Sequence, residues 1–467
     1  YWDAVDAAEQ EEDFRLLAVH AEAIFLPDEQ EMVEKIKTAD MWTKFFRAFW
    51  GQRDPDPFTS HNERLVEHYR RLLHVRQKYA INDVYSRTRT SEDFFRMDAY
   101  KAFAYSSSYN YDPMIFFNRC PELALQERGL LYLRHGQPDK IIMYNESESV
   151  YNIPVNTEVW YYDNVFFPWR EGGSSIGDYR FIPVNYDGIA DMEESINSES
   201  FKDPLPRLNH DCSWAVFMAP DGGSQLEIYQ AISIEETEQQ EPPVSELVVF
   251  DDYWSELARD SIACMHVKIN GREKWMGVNS VSLPPGIKEV ASRIDIPGFR
   301  IVDRQSAWVR TFYHNTLELS GIILGSPVQP ASGVYSRSGV ELLPRPSLSY
   351  TAGEIMTVYF EVYGLGQDST GARRFKEAVT ISRTTENPGL FGKVKRLFGS
   401  GGEKRSSDLT LAFERESAGD GQTVAEYFTV DTSLLLPGEY RIGIQAIASG
   451  NGGNDYTWNT FQLVEEE

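Results

Sequence analysis

Thr357-Val358-Tyr359-Phe360-Glu361-Val362-Tyr363 decides the fold class. Its side chains alternate with period two, which predicts a β-strand. Tyr440-Arg441-Ile442-Gly443-Ile444-Gln445-Ala446 alternates in the same way. Leu436-Pro437-Gly438 echoes Leu283-Pro284-Pro285-Gly286, so related turns are expected in both places. Working outward, strand-like segments fill 211–330: Trp214-Ala215-Val216-Phe217, Gln225-Leu226-Glu227-Ile228-Tyr229, Leu247-Val248-Val249-Phe250, Met276-Gly277-Val278 and Ala307-Trp308-Val309-Arg310. This spacing predicts two tandem Ig-like β-sandwiches, over 211–330 and 331–467.

The N-terminal part reads differently. Phe14, Leu17, Ala18, Ala21, Ile24 and Phe25 recur at helical spacing, and Pro27-Asp28 breaks the run. A second helix is expected through Met32, Ile36, Trp42, Phe45, Phe46 and Phe49. Ser60-x-x-Glu63 has the form of a capping box, opening a helix to about Tyr79 with a stripe of Leu65, Tyr69, Leu72, Arg76 and Tyr79. Glu67 and Arg71 are four apart and can pair. From Gly129 the period changes. Leu130-Leu131-Tyr132-Leu133 reads as a strand ended by a Gly136-Gln137-Pro138-Asp139 turn, and further strands at 141–144, 158–162, 165–167 and 178–184 predict a small antiparallel sheet on the helices. The expected organisation is N-terminal helices at 1–58, an α+β domain at 59–210 and the two sandwiches, a multidomain mixture of α+β and all-β parts.

At 467 residues the chain has room for about three domains. The 45 basic residues against 71 acidic ones give a net charge of -26, which excludes nucleic acid as an expected partner because phosphate needs a basic field. Three cysteines, Cys120, Cys212 and Cys264, form no CxxC pair and no disulfide framework. Buried free thiols are expected, with a single Cys212–Cys264 bridge as the alternative. No apolar run is long enough for a membrane span. The sequence starts at Tyr1 without a positively charged n-region and apolar core, which fits a removed signal peptide and an incomplete N-terminus equally.

One resemblance adds to this reading. Phe49-Trp50-x-x-Arg53-Asp54-Pro55-Asp56-Pro57, with Asn62-Glu63 and Glu67-His68-Tyr69-Arg70-Arg71, resembles the bacterial GWxTD-domain family. Two further blocks are similar to that family: Arg128-Gly129-Leu130-Leu131-Tyr132-Leu133-Arg134-His135-Gly136-Gln137-Pro138-Asp139, and Glu158-Val159-Trp160-Tyr161-Tyr162 with Gly177-Asp178-Tyr179. The blocks span about residues 40–185. The naming Gly-Trp-x-Thr-Asp motif is absent, its place taken by Cys120-Pro121-Glu122-Leu123-Ala124-Leu125-Gln126-Glu127-Arg128. The resemblance implies an extracytoplasmic protein, periplasmic or surface-exposed, of a bacterium with an outer membrane. It implies no chemistry.

Candidate sites follow from residue type and spacing. Arg53, His68, His135 and Asp139 lie where the resembling blocks would meet, and a hydrolase-like enzyme would gather them in one pocket. Asp in a Gly-x-Pro-Asp turn more often satisfies backbone N–H groups. Asp54, Asp56 and Glu63 fit helix-start capping, with Arg53 able to pair with either Asp. Gly173-x-Ser175-x-Gly177 matches a nucleophile elbow, but its place between two antiparallel strands favours a loop. His61, His68 and His74 lack metal-ligand spacing, and neither metal nor cofactor is expected. Leu390, Phe391, Val394, Leu397 and Phe398, interleaved with Lys393, Lys395 and Arg396 and flanked by glycines, form a basic amphipathic segment within an insertion at 386–408. It is the expected partner-binding element, and 389–405 the one place where membrane contact is expected. The leading expectation is a non-enzymatic structural or interaction subunit of a bacterial envelope assembly that binds other proteins. The alternatives are the hydrolase and a carbohydrate-binding module presenting Trp254, Trp275 or Trp308.

Overall fold

The computed structural model describes residues 1–8, 11–80, 125–145, 156–171, 179–181, 198–237, 241–313, 316–328, 335–366, 373–384, 409–417, 423–448 and 453–465. It divides into two compact units, Tyr1–Pro204 and Leu205–Glu467.

The first unit carries helices α1 (Trp2–Ala7), α2 (Glu11–Glu22), α3 (Pro27–Lys35), α4 (Ala39–Arg53), α5 (Glu63–Lys78) and α6 (Glu127–His135). A four-stranded antiparallel meander follows: β1 (Lys140–Tyr144), β2 (Thr157–Tyr162), β3 (Val165–Glu171) and β4 (Tyr179–Phe181). Phe14, Phe25, Trp42, Phe46, Trp50, Leu72, Val75 and Leu133 belong to one core that joins α2, α4, α5 and α6. Pro27 does break the first helical run, and it does so as the first residue of α3, where its missing N–H costs nothing. The second run divides at Ile36–Thr38, where the Thr38 hydroxyl accepts from Met41 N at 3.3 Å and opens α4.

Several expectations are corrected. Leu130-Leu131-Tyr132-Leu133 is helical, within α6. A four-residue apolar run has no decisive period, and Leu is a strong helix former. Asn62, not Ser60, caps α5: its side-chain oxygen accepts from Leu65 N at 2.8 Å while its amide donates to Trp50 O at 2.6 Å. The buried stripe of α5 is Arg64, Leu65, His68, Arg71, Leu72 and Val75, and Arg76 is exposed. The Glu67–Arg71 pair forms as expected, at 3.0 Å.

Strands dominate the second unit. In chain order they are β5 (Asp211–Met218), β6 (Ser224–Ser233), then the short helix α7 (Ile234–Thr237), β7 (Val244–Phe250), β8 (Glu256–Ala263), β9 (Met265–Ile269), β10 (Arg272–Leu283), β11 (Gly286–Asp295) and β12 (Val302–Val309). They continue with β13 (Glu318–Leu319), β14 (Ile323–Ser326), β15 (Tyr335–Arg337), β16 (Val340–Pro344), β17 (Ser349–Thr351), β18 (Ile355–Tyr363), β19 (Arg373–Arg383), β20 (Leu409–Ser417), β21 (Val424–Asp431), β22 (Gly438–Ala448) and β23 (Asn454–Val464).

These strands form four sheets, ordered β5-β6-β10-β9, β12-β11-β7-β8, β13-β18-β14-β16-β15 with β21 on β18, and β17-β23-β22-β19-β20. Pairing is antiparallel except between β17 and β23. The Leu283-Pro284-Pro285-Gly286 turn joins β10 to β11, as expected. Leu226 and Ile228 of the first sheet share a core with Leu247, Val249, Val290 and Ala307 of the second. Val358, Phe360 and Val362 share another with Val379, Ile381, Ile442 and Ile444. Gly277 permits a close approach between sheets: a Cβ there would lie 2.1 Å from Ser245 Cβ.

Strand β18 contains Thr357–Tyr363. Val358, Phe360 and Val362 face one core, as the alternation predicts. The other set, Tyr359, Glu361 and Tyr363, is buried as well. Tyr359 packs with Phe217, Tyr229 and Ile323, so β18 is covered on both faces.

Candidate functional site

The four sequence-predicted residues Arg53, His68, His135 and Asp139 all lie in the first unit, each bonded into the fold. Arg53 ends α4. Its guanidinium lies 3.8 Å from the centre of the Phe49 ring, and its Nη1 and Nη2 donate to the two carboxylate oxygens of Glu29 at 2.7 and 2.8 Å. Glu29 also accepts from Leu26 N at 2.8 Å, so one carboxylate caps α3 and holds α4. Arg53 therefore pairs with Glu29 and Glu199 rather than with Asp54 or Asp56. Those two aspartates close tight turns instead, accepting from Asp56 N and Phe58 N.

His68 is fully buried on α5. Its Nε2 lies 2.7 Å from His20 O; a carbonyl only accepts, so Nε2 carries the proton and Nδ1 does not. Burial first, and the neighbouring Arg64 guanidinium second, lower its pKa to about 3. A fully buried imidazole held neutral near pH 7 serves as a packing group. Arg64, one turn earlier, donates to Glu199 and leaves its buried Nη1 without a partner.

Arg71 binds the end of α6. Its Nη1 donates to the carbonyls of Leu133, Arg134 and Ser200 at 3.3, 2.9 and 3.1 Å, where a cation suits the carboxyl-terminal helix dipole. Gly136 follows with φ +76°, and a Cβ on it would sit 3.0 Å from the Arg71 guanidinium. The glycine of the Gly-Gln-Pro-Asp turn thus answers both a left-handed backbone and a side chain lying over it. Tyr162 of β2 donates to Gly136 O at 2.9 Å.

His135 Nδ1 lies 3.2 Å from Ser200 Oγ. The Asp139 carboxylate pairs with Lys202 and accepts from Asp163 N at 2.8 Å, which together hold its pKa below the usual carboxylate range. Asp139 thus bonds a backbone N–H of the turn between β2 and β3 rather than one of its own turn. One feature had no sequence signal: the segment Glu199–Lys202 touches all three regions, through Glu199 to Arg53 and Arg64, through Ser200 to Arg71, Arg134 and His135, and through Lys202 to Asp139. Helix α5, the end of α4 and the turn after α6 meet here as a structural joint.

Other candidates separate. His61 lies before α5, and His74 stacks on Tyr132 at 4.6 Å. Among the described residues no group of three or more His, Cys, Asp or Glu side chains is arranged to hold a metal. Cys212 and Cys264 are free thiols, each raised to about 12 by burial. Trp275 is buried, Trp254 is half-buried against Phe250, and Trp308 is 63% exposed. Gly173-x-Ser175-x-Gly177, Cys120 and the 386–408 insertion with Leu390, Phe391, Lys393, Val394, Lys395, Arg396, Leu397 and Phe398 lie outside the described residues.

The second unit holds two features the sequence did not disclose. The first is a buried ionic network. Arg337 pairs with Glu227 and with Glu361, the latter at 2.9 Å. Tyr229 and Tyr335 donate to Glu227, and Tyr359 and Tyr363 each donate to Glu361 at 2.6 Å. Burial alone would raise the Glu361 pKa, but Arg337 and the hydroxyl donors outweigh it and lower it. A lone Glu in the middle of each alternating strand was the available signal, since a carboxylate survives there only with partners.

The second feature is a cleft of about 860 Å³. Arg272 and Lys274 at the start of β10, Arg345 after β16 and the hydroxyls of Ser347, Ser349 and Thr351 line it. Arg345 is 7% exposed. Its Nη1 donates to Asn270, Ser326 and Glu354 at 3.1, 3.4 and 2.6 Å, and its guanidinium lies 4.6 Å from the Tyr350 ring centre.

No family model matches the chain, and no curated protein matches it. Among solved structures, it is similar to a DUF4785 family protein of Legionella pneumophila, at 9% identity and a TM-score of 0.16 over 51% of this chain and 53% of that one. It is also similar to a β-glucuronidase of Bacteroides uniformis, at 11% identity and a TM-score of 0.20 over 51% of this chain. The match spans about half of the Legionella protein and 26% of the glucuronidase.

Proposed function

We propose that this chain is a non-enzymatic structural or interaction protein, working outside the cytoplasm as a subunit of a bacterial envelope assembly. The observation that carries this reading is the display of large apolar side chains on outer sheet faces. Trp308 and Ile287 are cross-strand neighbours on β12 and β11, and they are 63% and 60% exposed. Tyr313, Tyr427 and Trp458 are also largely exposed. Aromatic side chains of this kind are the common anchors of protein interfaces. In this reading the paired sheets of the second unit form two Ig-like sandwiches, and the first unit is a GWxTD-like domain lacking the naming motif. The basic 389–405 segment supplies a further docking element, for a partner or a membrane surface.

The hydrolase reading gains less support, because Arg53, His68, His135 and Asp139 each have their own internal partners. The carbohydrate-module reading rests on Trp308 alone of its three tryptophans. Sedimentation of the natively purified protein is the test. The expected result is a particle larger than one chain that Trp308→Ser or Ile287→Ser reduces in size. A strictly monomeric, partnerless particle for wild type and variants alike would sink the proposal.

A further inference from the structure

We propose that the cleft beside Arg345 is a binding site for a small hydroxylated carboxylate. The argument begins with how one guanidinium is used. Arg345 is held from below by the Tyr350 ring and from one end by three acceptors, all on Nη1. Nε is buried with no hydrogen-bond partner, so a ligand can reach only Nη2, which no acceptor approaches among the described residues. A nine-tenths buried arginine with unpaired donors is costly, and a carboxylate oxygen on Nη2 lowers that cost.

The surroundings define the rest of the ligand. The cleft volume of about 860 Å³ suits a small molecule. Ser347, Ser349 and Thr351 line the same cleft as Arg345 and can exchange hydrogen bonds with hydroxyl groups. Arg272 is exposed and makes no ion pair with a described residue. The remaining charges largely cancel. Lys274 pairs with Asp211 at 2.6 Å and Arg345 with Glu354 at 2.6 Å, while Glu465 lines the cleft together with Arg272. A site with no net field selects its anion by directed hydrogen bonds, which is how an acidic protein can bind an acid.

The test is calorimetric titration of the full chain with gluconate, glucose and inorganic phosphate. Gluconate is expected to bind and glucose, its uncharged counterpart, to fail. Arg345→Lys keeps the charge but loses the planar fork, and should weaken gluconate at least about tenfold, equivalent to about 1.4 kcal/mol. Arg272→Ala, at an exposed position, should weaken it while leaving the melting temperature unchanged, and it carries the test if Arg345→Lys does not fold. Phosphate binding as tightly as gluconate would overturn the hydroxylated-carboxylate assignment. No heat with gluconate, or gluconate affinity unchanged in both variants, would overturn the site.

Discussion

Replacing Arg337 by Met should unfold the second unit's buried ionic network in a way that can be quantified. The guanidinium lies 3.8 Å from the Phe217 ring centre and is shared by Glu227 and Glu361, whose side chains are 5% and 3% exposed. Met fills part of the volume but leaves two buried carboxylates with no counter-charge. Breaking a buried ion pair from one side costs about 3–5 kcal/mol. The four tyrosine hydroxyls stay in place and keep the loss within that range. At roughly 2–4 °C per kcal/mol, the melting temperature of this unit should fall by roughly 6–20 °C. Urea titration of Arg337→Met, of Glu227→Gln with Glu361→Gln, and of the triple variant measures the coupling. Removing the carboxylates removes the uncompensated charge, so the triple variant should be more stable than Arg337→Met alone.

The same network has a pH signature. In the wild type the folded Glu361 pKa lies below its unfolded value, so its contribution is present above about pH 4.3 and fades as pH falls through the lower folded value. Without Arg337 the buried Glu361 carboxylate takes up a proton more readily. The penalty of Arg337→Met should therefore shrink below about pH 5. A loss under about 1 kcal/mol at neutral pH, or strictly additive substitutions, would refute the reasoning.

Three further outcomes are expected. Glu199→Gln removes the carboxylate shared by Arg53 and the buried Arg64 and should cost about 3 kcal/mol in denaturant unfolding; a change within about 0.5 kcal/mol would show that the Glu199–Lys202 segment is not part of the joint. His68 stays neutral in the folded state down to about pH 3, while unfolded His takes a proton near pH 6.5. Stability should thus fall as pH drops below 6.5, by about 2 kcal/mol at pH 5, and His68→Gln should flatten that slope; equal slopes would sink the assignment. Gly136→Ala meets both φ +76° and the Arg71 guanidinium, whereas Gly339→Ala at φ +80° meets nothing within 4 Å. Gly136→Ala should therefore be the more destabilising by about 1 kcal/mol when the two are compared by thermal melts.

Legibility varied with the range of the interactions involved. The N-terminal helices, the meander strands and the alternating β segments follow from local period and turn chemistry, and these were readable. The Glu67–Arg71 pair was readable because helical spacing alone brings the two together. Leu130–Leu133 was misread because a short apolar run fits either period, and packing against α5 selects the helix. Arg53 was assigned the nearest carboxylates in sequence, but its partners come from 24 and 146 residues away. The Arg345 cleft was invisible for the same reason: its lining spans Asp211 to Glu465.

Thr357–Tyr363 shows where the division falls. Its alternation by itself determined a strand whose successive side chains point to opposite faces. It could not determine that Tyr359, Glu361 and Tyr363 are buried too. A period of two states only that neighbouring side chains point to opposite faces. Which face meets water depends on what other sheet covers it, and here Phe217, Tyr229 and Arg337 close over the second face. Only tertiary structure, by covering both faces of the alternating strand, made it doubly buried.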